Sequence, residues 1–174
     1  MKINDIKIEN FRNIENMTAE FDNVNIIWGE NAQGKTNLIE AVYLFTGSKS
    51  FRGVKDSQLV KIGCEYSRLN IDFTSNDREQ NAEILIKGKR HATLNGIKKR
   101  SAAELGNELK AVVFSPIHLS MIKDGPSERR KFIDNALCQL KSNYRNLLKE
   151  YNRALLQRNT LLKDLAKNPE LDSM

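Results

Sequence analysis

The sequence predicts an α/β fold: a P-loop domain that adds an antiparallel β subsheet, followed by a helical arm. Three observations predict it. Val24, Ile26, Ile27 and Trp28 form an apolar run that leads directly into GENAQGKTN, after which apolar residues recur at helical spacing up to Gly47. The segments SRLNIDF and AEILIKG alternate apolar and polar residues as half-buried strands do. From Pro126 the strings SERRKFIDNALCQL and SNYRNLLKEYNRALLQRNTLLKDLAK hold no glycine and no proline and keep a helical period.

Taken in order, Ile6 and Ile8 alternate with charged neighbours in a first strand over 1–10, a turn falls at Arg12 and Asn13, and a second strand covers 17–21. Asp22 and Asn23 supply a turn before the apolar run 24–28, which has the composition of a buried strand. Leu38, Ile39, Val42, Tyr43 and Leu44 mark the helix after the glycine loop. A short helix is expected over 56–62. The pair Asn95-Gly96 signals a hairpin, because both turn positions need positive φ. Ser101 and Glu104 fit a capping box opening a helix to Lys110, and AVVFSP adds another apolar run closed by Pro116. Near Asp124 and Gly125 the character changes, dividing the chain into 1–124 and a helical segment 125–174. In the second helix of that segment Tyr144, Leu147, Leu148, Tyr151, Ala154, Leu155, Leu161, Leu162 and Leu165 share a face that needs a partner.

Composition narrows the function classes. The 174 residues, 40% apolar and 29% charged, suit one domain with an appendage and exclude collagen-like and wholly disordered chains. A net charge of +6 favours a polyanionic partner such as nucleic acid. MKINDIKIENF scatters charges through its length, so no secretory signal or membrane span is read there and a cytoplasmic protein is expected. Cys64 and Cys138 lack the spacing of a zinc site or a redox pair and read as reduced thiols.

Gly29, Gly34, Lys35 and Thr36 complete the pattern G-x-x-x-x-G-K-[ST], with Glu30, Asn31, Ala32 and Gln33 between the glycines. Glycines let backbone N–H groups curl around phosphate oxygens. Lys35 then meets the β- and γ-phosphates, Thr36 offers its hydroxyl to Mg²⁺, and the helix start faces the anion. No NKxD or DxxG string occurs, so ATP is expected rather than GTP. Two strands precede the loop, which points to the larger ATPases that combine an antiparallel subsheet with a parallel core.

Several strings carry a closer resemblance. IENFRN, GENAQGKTNLIEAVYL, the SFR of Ser50 to Arg52, VVFSP, GPSERRKFID and EYNRALLQRN together resemble the RecF family of bacterial recombination mediators, over nearly the whole chain. The resemblance implies one half of an ABC-type, SMC-like ATPase head that binds ATP and Mg²⁺ and dimerises around ATP. It also implies association with DNA at gaps and stalled forks in support of replication restart and the SOS response, with RecO and RecR as partners. By the same resemblance Arg12 and Asn13 lie beside the nucleotide, where a guanidinium reaches phosphate; read without it, FRN is a charged turn. Ile117 and His118 depart from the acidic pair that many members carry, and His118 reads as structural.

Neither Asp72 nor Asp134 follows the four-residue apolar strand expected before a Walker B acid, and no LSGGQ-like signature is present. The chain is therefore expected to correspond to the N-terminal half of the family's proteins, with no catalytic residue of its own and little turnover, although the intact protein would be a weak DNA-stimulated ATPase. Two basic sets, Lys89, Arg90, Lys98, Lys99 and Arg100 around the hairpin and Lys141, Arg145, Lys149 and Arg153 on the arm, read either as phosphate contacts or as solvated faces. Among these Lys98, Lys99, Arg100, Lys149 and Arg153 are the candidate DNA contacts, for backbone recognition without sequence readout. A scaffold or DNA-binding module with a vestigial P-loop, or another SMC-like ATPase, remains the alternative.

Overall fold

The computed structural model describes residues 1–116, 125–141 and 143–167, which fall into two compact units, one within Met1–His118 and one within Leu119–Met174. In the first unit β1 (Lys2–Phe11), β2 (Ile14–Glu20), β3 (Ser67–Ser75), β4 (Arg78–Lys87), β5 (Lys89–Leu94) and β6 (Ile97–Lys98) form a six-stranded sheet of order β2-β1-β3-β4-β5-β6. Each described pairing is antiparallel.

Alternation decides which face is buried, and register aligns the buried residues into rungs. Ile8 pairs with Leu69, Leu69 with Ile84 and Ile84 with Ala92; a second rung runs Ile6, Ile71, Ala82, Leu94. All of these are buried in one apolar cluster. Phe11 lies three residues beyond Ile8, out of alternation, yet is fully buried; Asn10 at φ 52° breaks the period and turns Phe11 inward. The Asn95-Gly96 turn between β5 and β6 has φ of 51° and 75°, as its residue types require.

Helix α1 (Lys35–Leu44) lays Leu38, Ala41 and Leu44 into the same cluster, joined by Phe45, Leu59, Leu105 and Leu109. Its facing differs from the periodicity reading. Ile39 is exposed, whereas Glu40 is fully buried. The stripe that meets the core runs through 38, 41, 44 and 45, and position 40 lies beside it.

Two apolar runs also depart from expectation. Residues 24–28 form no strand, and Val24, Ile26 and Trp28 are 83%, 86% and 87% exposed. Val112 and Phe114 are likewise 90% and 88% exposed and outside any strand. An apolar strand is buried only between neighbours, and among the described residues the sheet ends at β2 and β6 with no parallel pairing. The helix expected over 56–62 shortens to one 3₁₀ turn, Asp56–Gln58. That expected from Ser101 to Lys110 is a 3₁₀ segment, Ala102–Asn107, in which Ser101 makes no side-chain cap. Gly47 packs against it.

The second unit comprises α2 (Pro126–Leu140), with proline in its first turn, and α3 (Tyr144–Lys167). The Tyr144 hydroxyl donates to Asp134 Oδ1 at 2.6 Å, a bond that raises the tyrosine pKa above its ordinary value. Burial pushes the Cys138 thiol up. Leu147, Tyr151, Leu155, Leu161 and Leu162 of the apolar stripe are exposed. No helix among the described residues is long and apolar enough to cross a membrane.

Gly47 combines φ +70° with a close approach: a Cβ there would lie 2.6 Å from the Ala103 carbonyl oxygen. Gly53, at φ +73°, has open space around the same position. Gly53→Ala is expected to lower stability by about 1 kcal/mol, the left-handed penalty alone, and Gly47→Ala by about 3 kcal/mol, because backbone must also shift. Urea unfolding of both variants measures the difference.

Candidate nucleotide-binding site

The loop from Gly29 to Gly34 is irregular and passes directly into α1. Gly29 (φ +142°), Ala32 (φ 66°) and Gly34 (φ +97°) give it the reversed backbone that makes it curl. Below it the β1–β2 turn sits close: a Cβ on Gly34 would lie 3.3 Å from both Asn13 Oδ1 and Ile14 Cγ1. Asn13 holds the loop from this side. Its Nδ2 donates to the Ala32 carbonyl at 2.7 Å, and its Oδ1 accepts from Asn37 Nδ2 at 2.6 Å.

Lys35 Nζ donates to the carbonyls of Gly29 and Glu30, each at 2.7 Å, so the ammonium lies across the mouth of its own loop. Thr36 is exposed beside it. Gly34, the N-cap, offers no side chain, which leaves the first-turn N–H groups of α1 facing the cleft. The cleft measures about 590 Å³ and is lined by the loop from Asn31 to Asn37 together with Arg12, Asn13, Arg52 and Gln58. An ammonium, an open hydroxyl, oriented N–H groups and two guanidinium groups form a donor set suited to polyphosphate. Nothing lies within 4 Å of a Cβ position on Gly29, so there is room at the loop's entry.

Behind the cleft, Glu40 is a buried acid on α1. Arg12 grips it with both edges of its fork, Nε to Oε2 and Nη2 to Oε1, each at 3.1 Å, while Nη1 donates to the Gln58 carbonyl at 3.2 Å. The Ser50 hydroxyl donates to Oε1, and Arg52 Nη1 lies 3.6 Å from Oε2. Arg12 holds φ 57° and donates its own N–H to the Leu59 carbonyl at 2.8 Å. Left without these partners a buried carboxylate would destabilise the fold by about 3 to 5 kcal/mol.

Sequence reasoning missed Glu40 and gave Arg52 no role. The available signal was helical position: residue 40 shares the face of Leu44 and Ala41, where an acid demands a cationic partner, and arginines stand on both flanking segments.

The acids considered for a Walker B role sit elsewhere. Asp72 accepts from Asn81 Nδ2 at 2.7 Å on the sheet, and Asp134 accepts from Tyr144. Among the described residues no group of three or more His, Cys, Asp or Glu side chains is placed to hold a metal. Ile117 and His118 lie outside the described residues.

One of the basic residues considered for DNA is committed to the fold. Arg90 is nearly buried, with Nη1 donating to the Ser48 carbonyl at 2.8 Å and Nη2 paired with Asp56. The ion pair to the 56–58 turn holds it there. Lys98 and Arg100 are exposed and Lys99 half-buried at the far edge of the sheet, while Lys149 and Arg153 are exposed on α3.

A strandless glycine loop feeding a helix, beside an antiparallel sheet, defines a P-loop domain of the α/β ATPase type. The chain belongs to the AAA ATPase domain family, which it matches over residues 1–172. It is similar to the DNA replication and repair protein RecF of Agathobacter rectalis, 42% identical over 174 residues, covering 98% of this chain and 48% of that protein. RecF of Acetivibrio thermocellus is 46% identical over 169 residues, covering 95% of this chain and 46% of that one. Among solved structures, the recombination mediator protein RecF with ATPrS in the RecFOR pathway superposes with a TM-score of 0.89 at 38% identity, covering 95% of this chain and 46% of that chain. RecF with ATP gives 0.88 at 39% identity, covering 96% and 46%. The resemblance to RecF read from the sequence strings thus extends along the chain, and the α/β ATPase fold is shared. The chain spans about half the length of the curated relatives it matches.

Asn13 ties the β1–β2 turn to the loop crest through Ala32. Asn13→Ala is expected to speed amide hydrogen exchange at residues 30–34 while leaving β3 and β4 unchanged; equal protection in the variant would show that the loop holds its shape without the turn.

Proposed function

We propose that this chain is the nucleotide-binding half of a RecF-type ATPase head, acting in DNA replication and repair. The observation that carries the reading is the convergence of the Gly29–Thr36 loop, the α1 N-terminus and the arginine-bearing turns on one cleft. ATP is the expected ligand, supported by the likeness to RecF structures described with ATP and with ATPrS. On binding, Lys35 exchanges the Gly29 and Glu30 carbonyls for phosphate oxygens. The loop N–H groups from Glu30 to Gly34 surround the phosphates, and the Thr36 hydroxyl is positioned for Mg²⁺. Mg²⁺ would neutralise phosphate charge there. In this reading residues 1–124 are the first part of the head and 125–174 the start of its arm.

Exposed apolar runs support a head completed by further chain. Val24, Ile26 and Trp28 are exposed at alternate positions, as are Val112 and Phe114. Strands paired beside them would bury both. In the completed protein we place an ATP-dependent homodimer that associates with gapped or forked DNA and works with RecO and RecR. In this reading the half binds ATP, and little turnover is expected of it by itself.

Calorimetric titration with ATP and GTP in Mg²⁺ tests the reading. ATP is expected to bind in preference to GTP, and Lys35→Ala to weaken ATP at least tenfold, through loss of a charge-assisted bond of about 1.5 to 3 kcal/mol. Binding unchanged in the variant would remove the loop from the account.

For DNA, contact through the arm predicts a salt dependence carried by Lys149 and Arg153. Reversing both to Glu should lower the slope of log affinity against log salt by about 2, close to 0.9 per lost phosphate contact. An identical slope would assign these residues to a solvated face.

A further inference from the structure

We propose that the free edge of β2 docks an extended segment of a partner protein, one that alternates apolar and basic residues and adds a strand to the sheet. The inference is independent of the nucleotide cleft.

Among the described residues nothing pairs with β2 on the side away from β1. Such an edge presents a row of unmet N–H and C=O groups, which proteins ordinarily blunt by brevity, lysine, proline or a bulge. The opposite edge of the sheet is blunted in this way: β6 has two residues, one of them Lys98, and Lys99 and Arg100 follow directly. β2 has seven residues and neither lysine nor proline. The Phe21 N–H donates to the Asn4 carbonyl at 2.7 Å, so by alternation Met17 and Ala19 turn their backbone groups toward β1, and Thr18 and Glu20 turn theirs outward.

The two faces of this edge call for different side chains. Toward the core, Met17, Ala19 and Phe21 are only partly buried against the apolar cluster, so apolar residues on an added strand would extend it. On the outer face the register aligns Glu20, Asp5 and Asp72 across three strands. Like charges directly opposite one another destabilise a sheet. Among the described residues no cation pairs with any of the three; Asp5 Oδ1 is buried without a hydrogen-bond partner, and Asp72 accepts from the neutral Asn81 carboxamide. The residue opposite Glu20 on an added strand would continue this rung, and a lysine or arginine there supplies the missing charge. A cleft of about 440 Å³, whose lining includes Thr18, Lys7, Asn70 and Asp72, opens on the same face and gives a long basic side chain room. Nucleic acid has the wrong sign for the acidic rung, and a second β2 would bring Glu15 and Glu20 again with no cation. A basic protein segment is the occupant that matches both faces.

The test uses the full chain and a short synthetic peptide alternating lysine and valine, titrated by fluorescence anisotropy, with amide hydrogen exchange followed in the complex. Binding is expected to slow exchange at Thr18 and Glu20 about tenfold or more and to leave β4 unchanged. A peptide alternating glutamate and valine should not bind. One with the lysines and valines in two separate blocks should bind about tenfold more weakly, since its charge survives without the alternation that a strand reads. Thr18→Pro removes an outward N–H and leaves the β1 ladder intact; it is expected to weaken the alternating peptide about tenfold and to keep the melting temperature of the unsubstituted chain. Glu20→Lys keeps the backbone, so it serves should Thr18→Pro fail to fold: it should weaken the peptide about tenfold and raise the melting temperature, because one acid leaves the rung. Absence of binding overturns the inference, as does binding without slowed exchange at Thr18 and Glu20, or an affinity within about twofold of the unsubstituted chain in Glu20→Lys. A concentration-dependent dimer of the chain alone, lost in Thr18→Pro, would give the edge to a second copy and overturn it equally.

Discussion

The site depends on a single buried acid. Glu40 stands on the core face of α1 with no exposure, and a carboxylate in that position is tolerable only when cations reach it. The demand is met by two segments remote in sequence, the β1–β2 turn carrying Arg12 and the loop carrying Ser50 and Arg52. Both are thereby drawn to the flank of the helix whose first turn ends the phosphate loop. Arg12 achieves this in a left-handed conformation, which an arginine holds only when its surroundings over-determine it: here the Glu40 pair and the bond from its N–H to Leu59. An apolar residue at position 40 would pack as well, yet the turn would then be registered only through the Asn13 bonds to Ala32 and Asn37.

Beneath that polar layer the antiparallel sheet supplies rigidity. Two rungs of aliphatic side chains cross β1, β3, β4 and β5 in strict register, and Leu38, Ala41 and Leu44 of α1 press on the same cluster. Close packing of this kind resists small displacements. The turn that carries Arg12 and Asn13 is the direct continuation of β1, so its position relative to α1 is set by the sheet.

Alternation made the sheet legible in the sequence: SRLNIDF and AEILIKG lie on β3 and β4, and Asn-Gly forms the predicted turn. The phosphate loop was equally plain, because glycine spacing and a following helix are local properties. What failed was whatever depended on partners. The run 24–28 has the composition of a buried strand, but burial is a property of pairing, and none of the described strands lies beside it. Glu40 was read past for the converse reason: an acid in a helix looks like surface until the residues that neutralise it, 28 positions upstream and 12 downstream, are brought together.

The state of Lys35 follows from the same logic of partners. With two loop carbonyls as acceptors, the ammonium satisfies groups that would otherwise repel one another across the curl of the loop. The lysine therefore acts as a tie within the loop. In the proposed nucleotide-binding reading an incoming polyphosphate would replace like with like, two carbonyl acceptors giving way to phosphate oxygens of greater charge. The loop need not be rebuilt for this, because its crest is held independently by Asn13 at Ala32 and its base by the close packing of Gly34 on Ile14. Separating the element that holds the shape from the element proposed to meet the ligand would confine the change on binding to one flexible side chain and keep the ordering cost of association small.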